Sequence, residues 1–157
     1  MESNLDMSNL IYIDTDLCLH VEIKYFKKKD NYENIIKYIF KVIDTNIELK
    51  QKKFNCITLD AYIDLKDYKL KEIDIEFIKI MVQICQEKYP DNLKIIYIKN
   101  ANIMIKTIYS IIRPFVDKDT RKKIFFIKKN KNNKEQPKGS EEINKINEEC
   151  IDELFDI

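Results

Sequence analysis

The chain has 157 residues, of which 45% are hydrophobic and 35% are charged. This length predicts a single domain, residues 1–157, with enough apolar side chains to bury a core of its own. The 28 Lys and Arg residues nearly balance the 27 Asp and Glu residues, so the net charge of +1 excludes the basic surface typical of nucleic-acid-binding proteins. The single glycine, Gly139, excludes a glycine-rich phosphate-binding loop.

The residue types that build metal sites and active sites are few and scattered. The four cysteines form no Cys-x-x-Cys pair and His20 is the only histidine, so we predict a reducing compartment, no metal and no cofactor. No Ser/His/Asp or Cys/His arrangement stands out, which predicts a protein that is not an enzyme. Residues 1–9 are polar and no apolar run reaches about 18 residues, so we expect a cytoplasmic protein without a membrane span.

The first third of the chain predicts two strands and a helix. Leu10–Ile13 and Leu17–Phe26 are rich in strand-forming residues, and the second alternates between apolar and charged side chains, as an edge or half-exposed strand does. Asp30 and Glu33 fit a capping box, and apolar residues then recur at helical spacing. The pattern predicts an amphipathic helix over about 31–46.

The middle of the chain predicts another strand and another helix. Phe54–Ile63 is the strand, and Asp60 near its end has no partner at catalytic spacing, so we interpret it as structural. Asp74 is placed to cap the helix that follows. The expected buried stripe of that helix is Phe77, Ile78, Met81, Ile84 and Cys85.

Between Tyr89 and Ile127 the elements follow each other closely. Leu93–Lys99 is apolar enough to predict a strand covered on both faces. An Asn-Ala-Asn sequence then caps a helix over Ile103–Arg113, which Pro114 ends because the residue before proline disfavours the helical conformation. A polar turn leads to a last strand, Ile124–Ile127.

The remaining residues differ in composition from the rest. Residues 128–140 predict a mobile basic loop, and residues 141–157 predict an acidic C-terminal helix with a narrow apolar stripe. The alternation of strands and helices predicts an α/β fold with a mostly parallel β-sheet flanked by helices.

Several short motifs carry a family resemblance. They are Tyr-Pro followed by an acidic residue, an apolar strand ending in Asn-Ala, a lipophilic helix, Arg-Pro-Phe-Val-Asp, and Asp-Thr-Arg-Lys-Lys-Ile. In this order they resemble the CRAL-TRIO lipid-binding family, which includes the yeast-type phosphatidylinositol transfer proteins. The chain looks like a minimal, divergent member that lacks the N-terminal helical bundle. The resemblance implies an apolar cage that binds a single phospholipid and transfers it between membranes, with phosphatidylinositol favoured.

The helix at Ile103–Arg113 has two interpretations. Its apolar arc of about 160°, at 100° per residue, is typical of a helix that covers a sheet. The resemblance implies instead a gate that covers the lipid pocket and moves at the membrane. The proposed gate and pocket residues are Met104, Ile105, Ile108, Tyr109, Ile111 and Ile112.

The polar turn supplies candidate ligands for a phospholipid headgroup. Thr120 and Lys123 lie three residues apart and so project to one side of a helical turn. The resemblance matches them to a Thr and a Lys that contact the phosphoinositol headgroup, and it matches Asp91 to an acidic residue of the same site. Basic residues nearby, Arg121, Lys122, Lys128 and Lys129, are expected to contact an anionic membrane transiently.

Departures from the family pattern leave an alternative open. Asn55 and Ile57 stand where some members carry hydroxyls for phosphatidylcholine, which argues against choline lipids as ligands. The alternative is a ligand-free protein-interaction module of the same fold, like the divergent members fused to GTPase-regulating proteins. The expected partners are therefore a phospholipid and a membrane surface, with no nucleic acid; the oligomeric state is open, with a monomer favoured.

Overall fold

The computed structural model describes residues 4–127, so the predicted basic loop and acidic helix lie outside the described residues. The strands are β1 (Ile11–Ile13), β2 (Leu19–Glu22), β3 (Leu59–Asp64), β4 (Leu93–Lys99) and β5 (Ile124–Ile127). The α-helices are α1 (Asn4–Leu10), α2 (Glu33–Phe54), α3 (Ile75–Lys88), α4 (Ile103–Ile112) and α5 (Lys118–Arg121). Short 3₁₀ turns occur at Ile23–Tyr25, Leu70–Glu72 and Arg113–Phe115.

The five strands form one sheet in the order β1-β2-β3-β4-β5. β1 pairs with β2 in antiparallel orientation, and the other three pairings are parallel. The predicted α/β fold with a mostly parallel sheet and flanking helices is therefore confirmed. Each parallel pair is joined through one of the helices α2, α3 and α4, as a parallel connection requires.

Helices α2, α3 and α4 all pack on one face of the sheet. Connections between neighbouring parallel strands are right-handed, so strands added in sequence order place every connecting helix on the same side. Ile43 of α2 packs in a cluster with Leu19 and Leu59, while Tyr109 of α4 packs in a cluster with Phe126. We name this side the helix-covered face. Its strand residues are Ile11, Ile13, Leu19, Val21, Leu59, Ala61, Ile63, Ile96, Ile98, Ile124 and Phe126.

The opposite side of the sheet carries a row of rings, one from each strand. We name it the aromatic face; its ring-bearing residues, in register across the sheet, are Tyr12, His20, Tyr62, Tyr97 and Phe125. Neighbouring ring centroids in the row are 5.1, 5.1, 5.0 and 6.0 Å apart. Cross-strand aromatic pairs stabilise a sheet and fix its register.

The capping box and the end predicted for α2 were wrong. Tyr32 is the N-cap residue and its side chain makes no capping hydrogen bond, so Asp30 and Glu33 form no capping box. Instead the Asn31 side chain accepts a hydrogen bond from the Glu33 backbone N–H at 2.9 Å. The helix also continues to Phe54, where Asn55 ends it in the left-handed region at φ 51°. Strand β3 therefore starts at Leu59 rather than at residue 54.

Of the two alternatives predicted for β2, an edge strand or a half-exposed strand, the structure has the second. The strand lies between β1 and β3, and the edge position belongs to β1. The alternation is real, because Leu19 faces the helices while His20 and Glu22 lie on the aromatic face. The apolar and charged residues of β2 alternate because one face of the sheet is covered by helices and the other carries polar side chains, not because β2 is an edge strand.

Candidate functional site

The centre of the helix-covered face is less buried than its margin. On this face Ile124 and Phe126 of the edge strand β5 are buried, whereas Ile96 and Ile98 of the interior strand β4 are only partly buried. Interior strands of parallel sheets are normally buried on both faces. The helices therefore leave the middle of their own side of the sheet incompletely covered.

Apolar side chains from three directions surround this incompletely covered region. They come from the sheet, from α3 and from α4, and each is only partly buried while packed against the same core cluster. These residues are Ile63, Ile96 and Ile98 from the strands, Ile78 and Val82 from α3, and Ile108 from α4. Since no polar group of the sheet interrupts them, the arrangement favours an apolar ligand.

Helix α4 divides the six predicted gate and pocket residues between its two sides. Ile105, Tyr109 and Ile112 are buried against the core, and Ile108 is half-buried beside them. Met104 and Ile111 are exposed on the outside of the helix. A sheet-covering helix and a gate would both bury this inner side, so the buried residues do not distinguish them. The gating role stays a prediction.

The outer surface of α4 and of the turn after it exposes several large apolar side chains and carries no acidic residue. Ile103 is 74% exposed and Phe115 is 49% exposed, the first more than any other large hydrophobic residue described. Between residues 92 and 116 the chain has four basic residues and no Asp or Glu. Exposed apolar side chains bordered by cations are typical of surfaces that meet a membrane.

Thr120 and Lys123 lie close together on the turn between α4 and β5. Asp117 caps α5 by accepting a hydrogen bond from the Thr120 backbone N–H at 2.7 Å. The Lys123 N–H donates to the Thr120 carbonyl at 3.0 Å, and the Lys123 carbonyl accepts from Ile96 of β4 at 2.8 Å. Both side chains are half-buried at the end of the sheet where the parallel strands begin.

Asp91 lies at the same end of the sheet but further along it. The exposed Asp91 precedes β4 by two residues, and Asn92 fixes its loop by donating to the Ile57 carbonyl at 2.8 Å. In the register of the sheet Ile96 lies opposite Ile124, so Lys123 lies near residue 95. Asp91 thus lies four residues before that level in the sequence, in the turn that precedes β4.

The basic residues predicted to meet the membrane are placed unequally. Lys122 is exposed, while Arg121 is half-buried and its Nε has no hydrogen-bond partner among the described residues. Lys128 and Lys129 lie outside the described residues. Of the four residues predicted to form a cationic surface, the structure therefore describes only the two at the end of α5.

The aromatic face has an acid–base pair that the sequence did not suggest. His20 Nε2 lies 2.6 Å from Asp14 Oδ2, and the imidazole stacks between the rings of Tyr12 and Tyr62. Burial opposes ionisation of Asp14, but hydrogen bonds from the Cys18 backbone N–H and from His20 outweigh it and lower the pKa of Asp14. The sequence does place one ring-bearing residue on each strand. Only the strand register shows that these rings lie side by side.

Neither a metal site nor a membrane span is found in the part of the chain that the structure describes. Within residues 4–127 no group of three or more His, Cys, Asp or Glu side chains could hold a metal ion. No helix among those residues combines the length and the apolar character needed to cross a bilayer.

Comparison with known proteins decides the family. The profile of the CRAL/TRIO domain matches residues 14–154, which is most of the chain. The chain belongs to the CRAL/TRIO family. Members of this family bind and transfer lipids and are generally not enzymes.

A solved structure shows the same fold at low sequence identity. The crystal structure of Sfh5 superposes on the CRAL/TRIO chain with a TM-score of 0.66 at 20% identity. The superposition covers 80% of this chain but 51% of Sfh5, so the chain spans about half the length of that protein. A search of the curated proteins finds no match.

Proposed function

We propose that this protein binds one phospholipid between the helix-covered face of its sheet and helices α3 and α4, and transfers it between membranes. Phosphatidylinositol is the favoured lipid. The observation that carries the proposal is the incomplete burial of Ile63, Ile96 and Ile98 beneath two helices. An acyl chain placed there regains about 0.8 kcal/mol for each CH₂ removed from water, which offsets the cost of leaving the bilayer.

The headgroup is held at the end of the sheet where Thr120 and Lys123 lie. Lys123 supplies the cation that a phosphodiester requires, and Thr120 supplies a hydroxyl for a hydrogen bond. Asp91, at the same end of the sheet, contacts the far side of the headgroup. Asn55 and Ile57 offer no hydroxyl, so choline lipids are poor ligands.

Helix α4 is the gate of this pocket. Its inner residues Ile105, Tyr109 and Ile112 close the apolar region, and its outer residues meet the bilayer. Cations near an anionic membrane surface contribute about 1 kcal/mol each, so Arg121, Lys122, Lys128 and Lys129 draw this side of the molecule toward the membrane. The association is transient.

A lipid-transfer measurement with a matched pair of lysine variants tests the proposal. Lys123→Ala should abolish transfer of phosphatidylinositol between labelled vesicles, with little change in melting temperature, because a half-exposed lysine contributes little to folding. Lys66→Ala removes an exposed lysine from the opposite end of the sheet and should leave transfer unchanged. Wild-type transfer by Lys123→Ala, or no transfer by the wild-type protein, would contradict the proposal.

A further inference from the structure

The junction between α2 and β3 exposes large apolar side chains among lysines. Phe54 at the end of α2 is 55% exposed, and Ile57 in the turn that follows is 46% exposed. Lys52 and Lys53 are exposed on the last turn of the helix, and Lys53 Nζ lies 5.2 Å from the centre of the Phe54 ring. We name these four residues together the α2–β3 patch.

The backbone of the turn in this patch is held by the protein itself. Asn55 ends α2 in the left-handed region, and the N–H groups of Asn55 and Cys56 donate to carbonyls of the last helical turn at 3.1 and 3.4 Å. The Ile57 carbonyl accepts a hydrogen bond from the Asn92 side chain at 2.8 Å. Because polar groups that are bonded within the protein need no water, this turn can enter an apolar environment at a lower cost than an open loop.

Lys52 and Lys53 give the patch its charge. Lys50 does not contribute, since it is buried and pairs with Asp60 at 2.9 Å. Lys52 pairs with Glu48 at 3.1 Å, but both side chains of this pair are largely exposed. Such surface pairs contribute little, so an anion from outside the protein can take the place of Glu48.

The connection after β3, at the opposite end of the sheet, exposes a similar side chain in a different setting. Leu70 is 51% exposed and lies between Lys69 and Lys71. Residues 65–74 contain three lysines and three Asp or Glu residues, whereas residues 49–59 contain three lysines and no acidic residue. An anionic surface is therefore complementary in charge to the α2–β3 patch and not to the segment around Leu70.

We propose that the α2–β3 patch is a second membrane-contacting surface, separate from the outer surface of α4. Phe54 and Ile57 enter the interface of an anionic bilayer, and Lys52 and Lys53 contact its phosphates. Apolar side chains bordered by lysines are typical of segments that lie in a membrane interface. The inference goes beyond the proposed function, because this contact requires no lipid in the pocket.

A single tryptophan tests where the patch lies on a vesicle. The chain contains no tryptophan, so the emission of Phe54→Trp reports on that position alone. On vesicles of phosphatidylcholine and phosphatidylserine, the emission should shift to shorter wavelength and be quenched by lipids with brominated acyl chains, since the indole leaves water for the interface. Vesicles of phosphatidylcholine alone should cause a much smaller change. Leu70→Trp is the control and should respond to neither.

Vesicle cosedimentation of the full chain measures the strength of the contact. The double variant Phe54→Ser with Ile57→Ser should bind phosphatidylserine-containing vesicles about tenfold more weakly, because it removes the apolar side chains that the bilayer takes from water. Leu70→Ser matches these changes in exposure and in neighbouring lysines, and it should bind as the wild-type protein does. Added salt should weaken wild-type binding by screening Lys52 and Lys53.

The outcomes distinguish this inference from the proposed function. An unshifted Phe54→Trp emission, an equal response from Leu70→Trp, or wild-type binding by the double variant would overturn the inference and leave the outer surface of α4 as the membrane contact. No binding of the wild-type protein to either vesicle would also overturn it and would favour a protein as the occupant of the patch. A protein that carries no lipid but whose Phe54→Trp variant still responds to anionic vesicles would contradict the proposed function and support this surface.

Discussion

Asp74 joins two parts of the fold through its two carboxylate oxygens. Oδ1 accepts the Phe77 backbone N–H at 3.2 Å and so caps α3, while Oδ2 accepts the Tyr32 hydroxyl at 2.6 Å. The hydrogen bond from Tyr32, followed by that from Phe77, outweighs desolvation and lowers the pKa of Asp74. A carboxyl whose folded pKa is lowered stabilises the protein above its unfolded pKa and loses this effect as the pH falls through its folded value.

Asp74→Ala should therefore lower the free energy of unfolding by about 1 kcal/mol at neutral pH, the usual cost of losing a cap. The difference from wild type should shrink below about pH 4, where the unfolded carboxyl is protonated. Urea unfolding at pH 7 and pH 3 measures both values. Asp74→Asn keeps an accepting oxygen and serves as the control; a loss at pH 7 as large as that of Asp74→Ala would show that capping is not the cause.

At the scale of the elements, the C-terminal half of α2 explains why the sequence predicted a shorter helix. Asn46 and Lys50 occupy buried positions where an apolar residue would continue the periodic pattern. Asn46 donates to the Leu17 carbonyl at 2.8 Å, and Lys50 pairs with Asp60 at 2.9 Å. These partners are far away in the sequence, so no local pattern reveals them. The pairing also supports the structural interpretation of Asp60.

Elements with strong local signals were predicted well. Asn102 caps α4 by accepting from the Met104 and Ile105 backbone N–H groups, and Asp74 caps α3 as expected. The bounds of β4 and β5 agree with the sequence pattern. Caps and uninterrupted apolar runs depend on neighbouring residues alone, which is why they are visible in a single sequence.

Helix α4 gives a prediction about local stability. If it is a gate, its amides at residues 104–112 should exchange with solvent faster than those of Leu93–Ile98, because mobile lids come from the less stable parts of a fold. Hydrogen exchange followed by mass spectrometry measures this difference.

The same experiment with vesicles separates a gate from a fixed wall. Anionic vesicles should change exchange in residues 104–112 and 121–134, and added salt should weaken the effect by screening the basic residues. Exchange that matches the sheet and does not respond to vesicles would make α4 a sheet-covering helix only.

At the scale of the whole molecule, the two faces of the sheet have different roles that the sequence could not assign. Ile95 and Ile96 are neighbours of the same type, yet Ile95 lies on the aromatic face and Ile96 on the helix-covered face. Only the strand register and the side on which the helices pack distinguish them. The family, the mostly parallel sheet and the turn with Thr120 were predictable, whereas the positions of Asp117 and Gln86 beside that turn were not.

The most direct test of the central claim uses this pair of isoleucines. Ile96→Trp places a large ring in the proposed lipid region, while Ile95→Trp makes the same change on the other face. Native mass spectrometry of the purified proteins should show one phospholipid bound to wild type and to Ile95→Trp, and none bound to Ile96→Trp. A lipid-free wild-type protein, or a lipid retained by Ile96→Trp and lost from Ile95→Trp, would contradict lipid binding beneath α3 and α4; the former result would favour the ligand-free interaction module.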